Sequence, residues 1–466
     1  RINRECKLMS GIMMQLLGAA GGGANYFFSV IETAADANKR NNIHGIVDSS
    51  DNIYVDFDYD DSGTTYMGLV KYNPAGDVLA QRRLTNVTYR PSGTQELFDG
   101  GWSPAFDSSD NYYIVAKATQ SNNNPVFLKI NSSDLTITSK YEKEFSSGSE
   151  YGGFWDSSAN FYLCGSTGYA GVGQFAKFNS SGSQQWAKTI NVTGVAGGPG
   201  AFWTGGGTDS SGNVYVCGSH PAYAYRGIIA KYNSSGTNQW TKWLDEGPFN
   251  NGFITIKCDS SGNPYVVGNM GATSSKQLAY VAKLNPSTGA VVWDYVHCKV
   301  SDPQGGGFQS VDFDSSGNVY VAGIVAEDQY PNGDFYAYQY FAVYVKLNSS
   351  GTVQWQRGLS YSSSRNYDKR ASATVAIDSK DDMILTVSHS DGSNPVRHCV
   401  ARLPNDGSLQ NSYGSVNLKY GETDLGDKNV GSIRTPTHGN SNTSTTNITS
   451  NVADGSNSYS PTTQIA

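Results

Sequence analysis

Apolar and strand-forming residues recur in short stretches along this chain, and each stretch ends at one of two recurring polar turns. The first turn reads Asp-Ser-Ser-x-Asn-x-Tyr-Val in its clearest copies, and the second reads Lys-x-Asn-Ser-Ser-Gly-x-x-x-Trp. Asp, Asn, Ser and Gly favour tight turns, whereas the β-branched and aromatic residues beside them favour strands. Each turn therefore predicts the tip of a β-hairpin.

Both turns occur seven times, and the two kinds alternate without exception. The Asp of the first turn lies at Asp48, Asp107, Asp156, Asp209, Asp259, Asp314 and Asp378. The basic residue of the second turn lies at Lys71, Lys129, Lys177, Lys231, Lys283, Lys346 and, in a weaker copy, Arg402. One pair of turns joins four antiparallel strands, a to d, and such a repeat buries both of its faces when successive copies pack radially. We therefore predict an all-β fold, a seven-bladed β-propeller of four-stranded antiparallel blades, with short non-propeller segments at both ends.

The seventh repeat lacks a convincing strand d after Gly407, while a spare strand precedes the first repeat. Residues 22–26 run into an apolar stretch much as Gly236 to Trp240 run into strand d of blade four, with Tyr26 in the place of Trp240. We predict that residues 25–33 complete blade seven, and the alternative is residues 408–418. The expected organisation is an N-terminal docking or processed segment (1–24), the propeller (25–420) and a Ser/Thr/Asn-rich tail (421–466).

The repeat resembles a known bacterial family. Asp-Ser-Ser-Gly-Asn-Val-Tyr-Val at 209–216 and 314–321 is similar to the SBBP repeats, over about residues 25–415. This resemblance implies the seven-bladed propeller and says little about function, since propellers serve many roles. The short Gly-rich head at 16–23, the repeat array and the tail together resemble virion and tail proteins of tailed phages, particularly marine ones.

Antiparallel connectivity sorts the connections onto two faces of the ring. The a–b and c–d turns share one face, called here the turn face, and the b–c and d–a connections share the other, the loop face. Binding residues usually lie on irregular loops of a rigid scaffold, so we predict the ligand site on the loop face. The candidate residues, whose aromatic rings could stack on sugars or contact a protein, are Tyr330, Phe335, Tyr336 and Tyr338 of blade six and Tyr223, Tyr225 and Arg226 of blade four. The blade-six insertion could equally pack on its neighbours.

Composition and motifs exclude several classes of function. Lys and Arg number 33 against 40 Asp and Glu, and no basic cluster stands beside aromatic residues, so no nucleic-acid partner is expected. No apolar run approaches the roughly 20 residues of a membrane span. The histidines lack metal spacing, the cysteines form no CxxC pair, and no nucleophile elbow or paired-carboxylate motif is present. We therefore expect no catalytic residue, no metal and no cofactor.

Taken together, these features predict a non-enzymatic structural or interaction protein. The expected role is a phage virion or tail-appendage component, located in the virion, whose termini bind other virion or surface proteins and whose loop face binds a cell-surface glycan. Two alternatives stay open at this point. A signal peptide around residues 8–20 would favour a secreted or cell-surface lectin-like module, and the third possibility is a propeller hydrolase.

Overall fold

The protein is described by a computed structural model. It describes residues 12–16, 26–32, 42–61, 64–88, 102–118, 124–143, 145, 149–166, 172–192, 202–220, 226–244, 252–273, 276–297, 305–328, 338–361, 372–389, 397–408, 411–413, 418–421, 445–447 and 450–453. Every regular element among these residues is a β-strand, and the strands form seven antiparallel blades arranged in a ring. The predicted seven-bladed β-propeller is confirmed.

The first three blades follow the predicted strand order. In blade one, strands a to d are Ile43–Val47, Ile53–Asp61, Thr64–Tyr72 and Val78–Leu84. In blade two, strand a is split into Val87–Thr88 and Ala105–Phe106, followed by Tyr112–Ala118, Pro125–Ile130 and Ile137–Glu142. In blade three, the strands are Ser149–Trp155, Phe161–Ser166, Gly173–Phe178 and Gln184–Val192.

The other four blades have the same order, with one exception in blade seven. Blade four consists of Phe202–Thr208, Val214–His220, Arg226–Tyr232 and Asn238–Leu244. Blade five consists of Gly252–Cys258, Pro264–Thr273, Lys276–Leu284 and Val291–His297. Blade six consists of Gly305–Phe313, Val319–Asp328, Tyr338–Leu347 and Val353–Tyr361. Blade seven consists of Ser372–Ile377, Met383–His389, Arg397–Leu403 and, as strand d, Phe27–Glu32.

Short strands extend several blades. Ile12–Leu16 pairs with the outer strand of blade seven, and Trp102–Ser103 runs parallel to strand a of blade three. Chain segments from the C-terminal part add to the outer edges of blades six, four and three; they are Asn411–Tyr413 with Leu418–Gly421, Thr445–Asn447, and Ser450–Ala453. The described parts of both terminal regions therefore continue existing sheets.

The ring closes where the N-terminal strand joins the last repeat. Phe27 pairs with Arg402 and Glu32 with Arg397, in the antiparallel sense. In blade four the equivalent basic residue, Lys231, pairs with Trp240, so Phe27 rather than Tyr26 stands in the place of the tryptophan. The strand is the one that the sequence analysis favoured, and its register is shifted by one residue.

Four tryptophans, one in strand d of each of blades three to six, join successive blades. Each indole N–H donates a hydrogen bond to a carbonyl in the c–d turn of the next blade, and each ring lies against the glycine of that turn. The pairs are Trp186 with Ser234 (3.2 Å), Trp240 with Pro286 (3.2 Å), Trp293 with Ser349 (3.1 Å) and Trp355 with Asn405 (3.0 Å). Phe27 takes this position against Gly76 at the closing joint. These residues therefore belong to the packing between blades.

Blades three and one illustrate how burial differs between an inner strand and an outer strand. Phe161–Ser166, strand b of blade three, is buried at every described position, because neighbouring blades cover both faces of the sheet. Val78–Leu84, strand d of blade one, alternates between half-buried and exposed positions before its buried last residue. The apolar core therefore lies in the joints between blades, and Phe57 of blade one shares a cluster with Ile384 of blade seven across the closing joint.

Candidate functional site

The recurring Asp of the a–b turn builds the turn itself. In blade six, Asp314 accepts hydrogen bonds from the backbone and side chain of Asn318 (2.8 and 2.7 Å) and from the Tyr320 hydroxyl (2.9 Å). Lys346 lies over the Tyr320 ring and 3.6 Å from the Asp314 carboxylate. Burial alone would raise the pKa of Asp314, but these hydrogen bonds and Lys346 outweigh it and hold the pKa below its usual value. The motif carboxylates are therefore structural.

Blade seven replaces this arrangement with a buried ion-pair network. Arg402 stands where the other blades have Lys, and Asp382 stands where they have Asn. The Arg402 guanidinium contacts the Asp378 carboxylate at 2.6 Å and the Asp382 carboxylate at 3.1 Å. Burial, with Asp378 nearby, raises the pKa of Asp382 although Arg402 opposes the shift. Because Arg402 is only 2% exposed, its charge balances these carboxylates and is not available to a ligand.

A hollow of about 530 Å³ lies on the turn face where blades five, six and seven meet. It is formed by the a–b turns of the three blades, together with the side chains of Tyr265, Lys283 and Ser349. We call it the turn-face hollow. Its volume lies within the range of about 300–1,000 Å³ that is typical of small-molecule sites.

Most residues that line the turn-face hollow are polar, and one aromatic ring among them is partly exposed. Ser260, Ser261 and Ser349 are exposed, and no hydrogen bond of their hydroxyl groups occurs among the described residues. Phe313 contributes a half-buried ring. The lining thus combines hydroxyl groups that can donate and accept with the exposed part of an aromatic ring.

The charges of the hollow are nearly balanced within the protein. Four of its five aspartates each have a cation nearby; the pairs are Asp259 with Lys283 (3.7 Å), Asp312 with Lys257 (2.6 Å), Asp314 with Lys346 (3.6 Å) and Asp378 with Arg402 (2.6 Å). The fifth, Asp381, accepts hydrogen bonds from the backbone and hydroxyl group of Ser315. No cation of this group is left over to bind an anion.

Asp312 of blade six lines the hollow and contacts the blades on both sides of its own. Its carboxylate accepts a hydrogen bond from the backbone N–H of Ile377 in blade seven (3.1 Å) and contacts the Lys257 ammonium of blade five. One carboxylate thereby spans three consecutive blades. Asp312 thus contacts both blades that adjoin its own at the hollow.

A second group of polar side chains lies between blades one and two. The imidazole Nδ1 of His44 lies 3.1 Å from the carboxylate of Asp56, which is fully buried and accepts a further hydrogen bond from the Tyr112 hydroxyl (3.1 Å). Burial and Asp56 raise the pKa of Tyr112 above its usual value. The group is a buried network that joins two blades.

Metal and thiol chemistry find no support in the described part of the chain. No group of three or more His, Cys, Asp or Glu side chains there could hold a metal ion. Burial raises the pKa of the Cys164, Cys217 and Cys258 thiols, so they are poor nucleophiles. Among the same residues, no helix is long and apolar enough to cross a membrane.

The sequence-predicted site residues are mostly not described by the structure. Tyr330, Phe335, Tyr336, Tyr223 and Tyr225 lie outside the described residues. The remaining two, Tyr338 and Arg226, begin strand c of blades six and four, and only their backbone is described. Their proposed role in binding therefore stays a prediction, as do the expected partners and location.

Sequence reasoning missed the turn-face hollow because it treated the turn face as uniform. One departure from the repeat lies in the lining: Asp312, two residues before the motif Asp, where most repeats have a neutral residue. This acidic residue was the available signal.

The comparisons with known proteins show the fold and no family. No family model matches the chain, and no curated protein matches it. Among solved structures, it is similar to the polysaccharide lyase Uly1, at 10% identity with a TM-score of 0.40, covering 83% of this chain and 93% of that one. It is also similar to an ulvan lyase of polysaccharide lyase family PL25, at 10% identity with a TM-score of 0.43, covering 77% of this chain and 93% of that one. A thermostable family-43 glycoside hydrolase is similar at 13% identity with a TM-score of 0.30, and the match covers 59% of this chain and 92% of that one.

Two expectations from the sequence are corrected by this finding. The chain was expected to be a non-enzymatic virion or tail component, yet these similar structures are carbohydrate-active enzymes and none of the three is a phage protein. That expectation rested on the absence of a catalytic motif, on the low-complexity termini and on the phage-like texture of the chain, and sequence motifs do not detect side chains that only the fold brings together. The SBBP resemblance gains no support from a family model, and the propeller alone stands. At these identities and TM-scores the likeness shows the fold, and no activity is transferred.

Proposed function

We propose that the protein binds a neutral saccharide in the turn-face hollow. The observation that carries the proposal is the composition of the lining: three exposed serine hydroxyls beside the half-buried ring of Phe313, in a hollow of about 530 Å³. Sugars present hydroxyl groups at their edges and an apolar C–H surface on the ring face. A lining with both kinds of group matches both parts of such a ligand.

The preference for a neutral ligand follows from the charges. Lys283 is the cation that lines the hollow, and it is paired with Asp259 at 3.7 Å. A uronic acid or a sulfated sugar would bring further negative charge toward five carboxylates without a spare cation. Neutral hydroxyl groups, by contrast, can donate to carboxylate oxygens that are already present.

The test is a binding measurement on matched panels of neutral, uronic-acid and sulfated oligosaccharides. Calorimetric titration of the full chain should show binding of neutral members only. In Ser261→Trp, the bulky ring occupies the hollow and should weaken binding at least tenfold. Ser211→Trp changes the same turn position in blade four, where the residue is exposed and outside the hollow, and should leave affinity unchanged.

Three results would contradict the proposal: no neutral saccharide binds, only anionic ones bind, or both tryptophan variants weaken binding equally. The same panel should be followed for newly formed reducing ends and for unsaturated products. Turnover that is lost in Ser261→Trp and kept in Ser211→Trp would assign a reaction to the hollow.

The loop face is proposed as a second sugar-contact surface. The b–c connection of blade six carries Tyr330 and Tyr336 in an acidic segment, and tyrosine rings offer large contact area at low entropic cost. The double variant Tyr330→Ala with Tyr336→Ala should weaken binding of a long polysaccharide and leave a short oligosaccharide in the hollow unaffected. Equal affinity for the long polymer would remove this surface from the proposal.

A further inference from the structure

The fourth position of the a–b turn has left-handed backbone in all seven blades. Gly212, Gly262 and Gly317 occupy it with φ of 75°, 78° and 76°, and Ala159 with 58°. Asp51, Asp110 and Asp381 adopt 63°, 55° and 65° at the same position. A side chain costs free energy in this conformation, and each of the three aspartates makes a contact that offsets this cost.

The compensating contact is a hydrogen-bonded latch to the preceding blade. Asp381 accepts from the backbone N–H of Ser315 at 2.7 Å and from its hydroxyl at 2.5 Å. Asp51 accepts from the same two groups of Ser379, both at 2.9 Å. Ser49 and Asp110 form the third latch. Three consecutive joints, from blade six through seven and one to blade two, are closed in this way.

The serine donor is present even where the latch is not. All seven turns carry Ser at the second position, including Ser260 of blade five. The following turn has Gly317 instead of an aspartate, so this joint has no acceptor there. A Cβ atom built on Gly317 would meet no atom within 4 Å, and the open space beside it belongs to the turn-face hollow.

We infer that Gly317 determines access to the turn-face hollow, by leaving the joint between blades five and six unlatched. The inference rests on the proposed saccharide site. An aspartate at this position would place its carboxylate opposite Ser260, as Asp381 is placed opposite Ser315, and would cover one of the hydroxyl groups offered to the ligand. The joint between blades five and six therefore differs from the joint between blades six and seven in lacking this side chain.

The test compares two substitutions of equivalent glycines. In Gly317→Asp we expect the two hydrogen bonds of a latch with Ser260 to outweigh the cost of a side chain in left-handed backbone, so the thermal midpoint should rise by about 1–2 °C. Neutral-saccharide binding should weaken at least tenfold. Gly212→Asp is the matched control, because a Cβ atom there meets only Ser234, at 3.5 Å, and Ser157 supplies the donor. It should raise the midpoint similarly and leave binding unchanged.

Removing the Ser260 hydroxyl distinguishes formation of the latch from a general effect of the added negative charge. In Gly317→Asp combined with Ser260→Ala, the gain in midpoint should disappear. Full binding by Gly317→Asp, or a midpoint that does not depend on Ser260, overturns the inference even if wild type binds saccharide. If wild type binds none, the proposed function fails, and a Ser260-dependent gain in midpoint still supports the latch at this joint.

Discussion

The residues that recur most often in this sequence are used to build blades and to join them. In blade six, Asp314, Asn318, Tyr320 and Lys346 form one network inside the turn, and Trp355 reaches the next blade. A buried polar group that is fully hydrogen-bonded stabilises a unique structure and has little left for a ligand. We therefore expect chemistry specific to this protein where single residues depart from the repeat.

Two buried histidines predict that stability falls in mild acid. Burial lowers the pKa of His297 to about 4 and that of His398 to about 3, against about 6.5 in an unfolded chain. The unfolded state therefore takes up protons first as pH falls below 6.5, and each histidine then costs about 1.4 kcal/mol of stability per pH unit until its folded pKa is reached. Urea unfolding at pH 7.5 and pH 4.5 should show this loss.

The variant His398→Gln isolates one of the two contributions. It removes the titrating group from the side chain that packs against Phe57, with ring centroids 4.5 Å apart. We expect a lower stability than wild type at pH 7.5 and a smaller decrease between pH 7.5 and pH 4.5. An unchanged decrease would show that His398 does not titrate as inferred.

At the scale of elements, the strands follow from the turns. Each of the seven a–b turns has left-handed backbone at its fourth position, and in six of them Gly or Asp at this position predicts the hairpin. The closing strand could also be recognised, because an apolar stretch with no partner of its own precedes the first repeat. Its register could not, since Tyr26 and Phe27 are both aromatic and only the pairing of Phe27 with Arg402 distinguishes them.

The hollow was harder to predict than the strands for a physical reason. It is a gap between the turns of three blades, so its size depends on how successive blades are placed and on the contact of Asp312 with Lys257 and the Ile377 backbone. None of these residues belongs to the repeat. Periodicity predicts what all blades share and leaves out what a single joint adds.

The register of the closing strand predicts unequal effects of two neighbouring substitutions. Phe27 is 2% exposed and packs on Tyr72 and Gly76, so Phe27→Ala should cost about 3–5 kcal/mol. Tyr26→Phe removes one hydrogen bond, to Asp382 at 3.3 Å, and should cost about 1 kcal/mol. Thermal unfolding of both variants checks this, and a larger effect at Tyr26 would favour the register inferred from the sequence.

At the scale of the whole molecule, the ring is closed by the two ends of the repeat array, and its latches are gathered around that closure. Blades six, seven, one and two are joined by Ser–Asp latches, whereas the aspartate acceptor is absent at the other four joints. A ring without a covalent closure opens most readily where its first and last elements meet. Latches at this joint and at the joints on either side of it would oppose that opening.

This arrangement predicts an energetic coupling at the closing joint that the unlatched joints lack. Ser379→Ala should destabilise the protein, because among the described residues it leaves the Asp51 carboxylate, which is 7% exposed, with only a backbone donor and Lys380 at 3.9 Å. With Asp51→Gly the same serine substitution should have almost no effect, so a double-mutant cycle should give a coupling of about 1 kcal/mol. Ser210→Ala, at the blade-four turn that precedes Gly262, is the control and should be neutral.

Hydrogen exchange of the amides in Phe27–Glu32 reports ring opening directly. We expect these amides to exchange faster than in wild type in Ser379→Ala and at the wild-type rate in Ser210→Ala. Equal exchange rates in the two variants would mean that the latches do not hold the ring closed.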